Sequence, residues 1–343
     1  MVDSRIVQWL PAAQIAVEYS TRLKSGERAV VVTDPTARDY PGSRELADAV
    51  YVAARSVGAE VSLIEFPARS RPNEELPQVV AGAMAAADVI FIGTTMAAFH
   101  TQATRNALAK GARVLGIFGG DSAANTVGRG RGLDLVPRSV EELEAIGRTT
   151  TALSERFRRG GKLRVTTAKG TDVTCSVGKL EVHNMDALYH GPGGWTHFVP
   201  GLAGGGPDFG TTSGTLVVDA SITPVRRPLT GEPPVRLTIE AGYVVEVEGG
   251  PAAQEWKRMA DELDDPGAFA IAEYGFGCHL RARTPVGWPV EDERIFGGFH
   301  LGIGTNTAYG GTMATKWHID ASVLAATAWF DDELIAQDGV YRV

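Results

Sequence analysis

The residues best suited to chemistry lie in the last quarter of the chain. His318 and Asp320 are one residue apart in WHID. Alternate residues of an extended segment point to one face, so this imidazole and carboxylate project together. His300 sits in GGFHLGIG and Glu273 in AIAEYGFGCH, both apolar, glycine-rich strand patterns. A carboxylate is costly to bury there without a partner. Each residue alone reads as a satisfied polar group of the core. Together, within 48 positions, Glu273, His300, His318 and Asp320 are two imidazoles and two carboxylates, a donor set suited to a divalent metal. Spacing between strands does not show convergence, so the residues alone leave the metal and structural readings balanced.

Other side chains could serve such a site. His190, Trp195 and His197 lie in YHGPGGWTHF, which suits either a substrate-facing wall or a packing loop. His279 follows Glu273 by six residues, and Tyr309 stands in TNTAYGG. His279, His197 and Tyr309 are the candidates for moving protons. His190, Trp195 and Thr305 are the candidates for substrate contact. Cys278 beside His279 lacks a visible base and orienting group for a thiol nucleophile.

Two kinds of segment must position these groups. Over the first 150 residues strands and helices alternate, starting with an amphipathic helix over 4–23. Apolar strands follow at 27–34, 61–66, 88–95 and 113–118, a pattern of a parallel sheet with flanking helices. No GxGxxG follows the first strand, and Gly119-Gly120 lacks the rest of a phosphate-binding fingerprint. A long helix over 139–160 closes this α/β domain, expected to span 1–160. From Leu163 onward short alternating strands and turns such as Lys169-Gly170 predict a mainly antiparallel, β-rich metal domain over 161–343. Of 41 glycines more than half follow residue 190, pointing to turns or to loops lining a site.

At 343 residues two domains are expected. The net charge of −8 disfavours nucleic acid and anionic membrane, which need a basic surface. No apolar run approaches a membrane span, and the N-terminus lacks a signal-peptide core. Two cysteines suggest no disulfide framework and a reducing, cytoplasmic setting.

The chain resembles the M29 (thermophilic, or leucyl, aminopeptidase-like) metalloenzyme family. It is most similar to a shorter branch that includes 2,5-dihydroxypyridine 5,6-dioxygenase. GERAVVVTD, DVIFIGTT and HTQATRNALAKGARVLG carry the resemblance in the first half. SGTLVVDASI, LTIEAGYVVEVEGG, IAEYGFGCH, FHLGIGTNTAYGG and HID carry it in the second. The resemblance implies that Glu273, His300, His318 and Asp320 match metal ligands of the aminopeptidases. Leu202 stands where those enzymes place a glutamate that bridges two metals, so one ion is expected. The dioxygenase branch binds one iron through two histidines and a carboxylate, with a histidine where this chain has Glu273. The glycines at 204–206 would then leave room for a flat or bulky substrate.

The resulting expectation is a mononuclear Zn, Mn or Fe(II) hydrolase cleaving an amide or other C–N bond of a small molecule. The alternative is a non-haem Fe(II) dioxygenase opening a hydroxylated, dihydroxypyridine-like N-heterocycle. The resemblance also implies a homodimer or larger homo-oligomer.

Overall fold

The computed structural model describes residues 4–35, 43–70, 74–99, 101–117, 134–189, 191, 193–225 and 227–343. Val30–Val32 and Val89–Ile92 are buried throughout, as strands covered on both faces require. They belong to β1 (Arg28–Thr33), β2 (Glu60–Glu65), β3 (Val89–Gly93) and β4 (Arg113–Gly116). Next in the chain come β5 (Gly161–Thr166), β6 (Asp172–Met185) and β7 (Trp195–His197). β1 to β4 and β7 form one parallel sheet in the order β2-β1-β3-β4-β7. Helices Ser43–Ser56, Gln78–Ala86 and Gln102–Ala109 connect its strands. The expected helix over 4–23 is broken: Ser4–Val7 and Leu10–Gln14 are α, and Ile15–Ser20 is a π segment. Pro11 opens the second piece, where its missing N–H costs least.

The remaining strands are β8 (Leu202–Pro207), β9 (Ser213–Val218), β10 (Ser221–Ile222), β11 (Val235–Glu240) and β12 (Tyr243–Glu248). They continue with β13 (Ile271–Gly277), β14 (Phe299–Gly304), β15 (His318–Val323), β16 (Thr327–Phe330), β17 (Glu333–Gln337) and β18 (Val340–Tyr341). With β5 and β6 they form a 13-stranded sheet whose main path is β10-β15-β14-β13-β8-β6-β5-β16-β17-β18. Its core side packs Trp256 of helix Pro251–Glu262 with Phe157, Tyr274, Phe276, Leu301 and Ile319. The closing hairpin turns at Asp338 and Gly339, both at positive φ, as a tight two-residue turn demands.

The chain divides into two compact units, 1–145 with 185–200, and 146–184 with 201–343. A single boundary after residue 160 therefore does not describe it. Helix Val140–Arg158 explains part of the difference: Leu143 joins the first unit's core, and Leu153 and Phe157 join the second's. The chain then returns to the first sheet through β7. That segment was expected to be a glycine loop, because its glycines mask a three-residue strand.

Candidate metal centre

Strand alternation places the candidate residues. On β15, Ile319, Ala321 and Val323 enter the core, leaving His318, Asp320 and Ser322 on the other face. On β14, Phe299, Leu301 and Ile303 do the same, leaving His300, Gly302 and Gly304. Asp320 lies opposite Gly302, His318 opposite Gly304 and Ser322 opposite His300. Asp320 and His318 thus each lie opposite a glycine; a Cβ at Gly302 would collide with Glu273 and His318, and one at Gly304 with the Trp317 backbone.

β13 needs one more device. Ile271, Tyr274 and Phe276 all belong to the core, so the alternation changes phase between Ile271 and Tyr274. A register shift makes the change: Ile271 pairs with Ile303, but Glu273 pairs with Gly302. Such a bulge inserts one residue and turns the next side chain over. In unbroken alternation Glu273 would follow Ile271 into the core.

The result is a tight cluster. Glu273 Oε1 lies 3.2 Å from His300 Nε2, and Glu273 Oε2 lies 2.9 Å from His318 Nε2. His318 Nε2 is 3.8 Å from Asp320 Oδ1. Ligand atoms of Glu273, His300 and Asp320 all fall within 4.8 Å of one another. His300 is fully buried, Glu273 and Asp320 nearly so, and the His318 side chain keeps 21% exposure. The cradle is built for these groups: a Cβ on Gly275 would stand 2.1 Å from His300 Cε1, and one on Gly302 would stand 2.6 Å from Glu273 Cβ.

Hydrogen-bond inventory tests whether a cation fits. His318 Nδ1 lies 2.8 Å from the Thr305 carbonyl, which can only accept, so Nδ1–H donates. This network fixes the proton on Nδ1, so Nε2, facing two carboxylates, carries a second proton in the metal-free ring or offers its lone pair to a metal. Acceptors facing each other need a proton or a cation between them. His300 Nδ1 is a buried atom with no hydrogen-bond partner, which costs about 1–3 kcal/mol unless something engages it. Two imidazoles, two carboxylates and a glycine-lined cradle fit a divalent metal.

The electrostatics agree. Burial would lower the His318 pKa, but its hydrogen bond with Glu273 and the charges of Glu273 and Asp320 raise it to about 9. For Glu273 burial acts upward, yet the hydrogen bonds from His300 and His318 hold the carboxyl well below its usual range. Burial raises Asp320, and the Glu273 charge adds to this. Burial, then the negative charge of Asp320, pushes Glu293 well up.

Other candidates take varied places. Tyr309 is buried, its ring 4.7 Å from that of His183 and 6.5 Å from that of His318. Burial, and then the negative charge of Glu273, hold its phenol protonated. Thr305 contributes its carbonyl to His318, while its hydroxyl donates to Met313 O at 2.9 Å. His279 is fully buried, its Nδ1 accepts the Arg281 N–H at 3.2 Å, and it is not among the three mutually close ligand groups. Trp195 and His197 lie on β7 of the first unit, clustered with Phe99 at ring distances of 5.0 and 4.4 Å. His190 and Gly119-Gly120 lie outside the described residues. Burial raises the Cys278 thiol to about 12, which removes it as a nucleophile at neutral pH.

Leu202 is buried on β8, opposite Gly277. The glycines beside it do not leave room for a substrate. A Cβ on Gly204 would stand 2.1 Å from Tyr274 O and one on Gly205 2.5 Å from Glu181 O; these glycines let β8 fit between its neighbours. Two groups escape sequence reasoning. Glu293, which accepts from Arg294 at 3.1 Å and feels the charge of Asp320, is hidden in the charged run VEDER. The Thr305 carbonyl is a backbone group, which no side-chain pattern marks.

Residues 9–342 match the family model of 2,5-dihydroxypyridine 5,6-dioxygenase (NicX). A relative of that name from Pseudomonas putida KT2440 is 24% identical over 202 residues, 56% of this chain and 57% of the relative. The chain thus spans a little over half the length of that relative in the match. The structure of 2,5-dihydroxypyridine dioxygenase from Pseudomonas putida KT2440 superposes with a TM-score of 0.81 at 19% identity, covering 98% of this chain and 97% of that one. Wild-type AmpT from Thermus thermophilus gives 0.62 at 14% identity, covering 98% and 100%. Both likenesses are likenesses of fold.

Proposed function

Because the chain belongs to the 2,5-dihydroxypyridine 5,6-dioxygenase family, we propose that it opens the ring of a hydroxylated, dihydroxypyridine-like N-heterocycle with O₂ and one Fe(II). Family membership moves the balance from hydrolysis, the first expectation, to oxygen chemistry. The observation that carries the reading is the cluster itself: Glu273 between His300 and His318, with Asp320 beside them on one strand face.

Glu273, His318 and Asp320 would hold the iron, with His300 either a fourth ligand or a hydrogen-bond donor to Glu273. Bound there, Fe(II) would supply a site for O₂ and for the paired oxygen functions of the substrate. A set of three protein ligands would leave room for both O₂ and substrate, which favours the donor role for His300. Thr305 fixes the His318 ring so that Nε2 faces the site. The Tyr309 phenol stays protonated beside Glu273 and does not act as a base. His279 is a weaker candidate for proton transfer, because Nδ1 is already engaged.

Oxygen uptake by protein reconstituted anaerobically with Fe(II) tests the reading. The expected result is one O₂ consumed per 2,5-dihydroxypyridine, with loss of the ring absorbance. Turnover of an amide or other C–N substrate without O₂, restored by Zn or Mn, would overturn it in favour of hydrolysis.

A further inference from the structure

The loop between β14 and β15 carries two groups that reach the cluster, and one buried side chain organises it. Thr305 presents its carbonyl to His318 Nδ1 at 2.8 Å. Tyr309 lies four residues on, its ring 6.5 Å from that of His318, and its phenol feels the charge of Glu273. Between them stands Asn306, 4% exposed. Its Oδ1 accepts the Met313 N–H at 2.9 Å, and its own N–H donates to Met313 O at 3.0 Å. The Asn306 carbonyl accepts the N–H groups of Tyr309 at 3.0 Å and Gly311 at 3.2 Å. The Thr305 hydroxyl also donates to Met313 O at 2.9 Å. A Cβ on Gly311 would meet the Asn306 amide at 2.2 Å, so the loop is shaped closely around that side chain.

We propose that Asn306 is a positioning residue of the metal centre. Its amide closes the loop onto Met313 and so fixes two groups together, the Thr305 carbonyl that aims His318 and the phenol beside Glu273. Asn306 touches neither metal nor substrate; it acts through these neighbours. Groups that orient a metal-bound histidine typically change metal affinity by about 10–100-fold when lost, and Asn306 governs one such group directly. The inference rests on the reading of the cluster as a metal centre.

The test uses the full chain loaded with Co(II), whose visible spectrum reports coordination geometry. Asn306→Leu removes the acceptor for Met313 N–H at similar volume. Gly311→Ala leaves Asn306 in place but drives a methyl into its amide, and it serves if the first variant does not fold. In metal-free form each folded variant is expected to keep the wild-type far-ultraviolet circular dichroism. On loading, Co(II) affinity falls by about 10–100-fold and the two variants share one altered visible spectrum. Wild-type affinity and spectrum in a folded variant would overturn the role of Asn306 while leaving the metal centre standing. Absence of Co(II) and Fe(II) binding by the wild-type protein would overturn the centre and the inference with it.

Discussion

His318 and His300 both meet Glu273, but they are held differently. His318 has its Nδ1 on the Thr305 carbonyl and its Nε2 turned to carboxylates; His300 is buried with an unpartnered Nδ1. If His300 serves by donating to Glu273, His300→Asn keeps most of the bound metal, whereas His318→Ala loses it. Metal content by atomic absorption separates the two, and equal loss in both would make His300 a ligand. A second consequence concerns pH. In the metal-free protein the His318 pKa stands near 9 against an ordinary 6.5. A raised pKa means that the protonated ring contributes stability in full below about 6.5, and that this contribution disappears as pH rises through about 9. Metal needs the bare Nε2, so its affinity should strengthen about tenfold per pH unit between these values and level off above. Competition against a chromophoric chelator at pH 6.5, 7.5 and 8.5 checks this; a flat profile would contradict it. The His318–Asp320 pair was legible in sequence because a period of two needs only one strand. The face of Glu273 was not, because a bulge set by its pairing with β14 reverses the alternation.

At the scale of elements, glycine placement does most of the positioning. Gly275 and Gly302 sit under His300 and Glu273, and Gly204 and Gly205 let β8 approach β13 and β6. Gly275→Ala should displace the His300 ring, costing about 1–3 kcal/mol of stability as overpacking and reducing metal content. Gly82, inside helix Gln78–Ala86, has nothing within 4 Å of an added Cβ. There the same change should stabilise by about 1 kcal/mol through helix propensity. Urea unfolding of both variants gives the two signs, and destabilisation at Gly82 would contradict the packing argument. Repeated βαβ alternation made the parallel sheet readable, and hairpin turns made the antiparallel one readable. β7 and β8 were not, because a glycine that admits a neighbouring strand has the same appearance in sequence as one that makes a turn.

For the whole molecule, the two units divide the tasks that sequence assigned. The cluster and its supporting loop lie wholly within the unit of 146–184 and 201–343. Trp195 and His197 belong to the other. Among the described residues no helix is long and apolar enough to cross a membrane. The association into dimers or larger oligomers that family resemblance implies is a proposal, checked by light scattering: at least twice the chain mass is expected, and the mass of one chain would contradict it. The family and its fold were readable from motifs spread along nearly the whole sequence. The reaction was less so, because Glu273 and His300 match hydrolase positions by resemblance while the chain belongs to a dioxygenase family. Elemental analysis of the as-purified protein addresses this most directly. One iron per chain, absent from His318→Ala, is the predicted result. Two zinc or manganese ions per chain would contradict both the single-metal centre and the oxygen chemistry built on it.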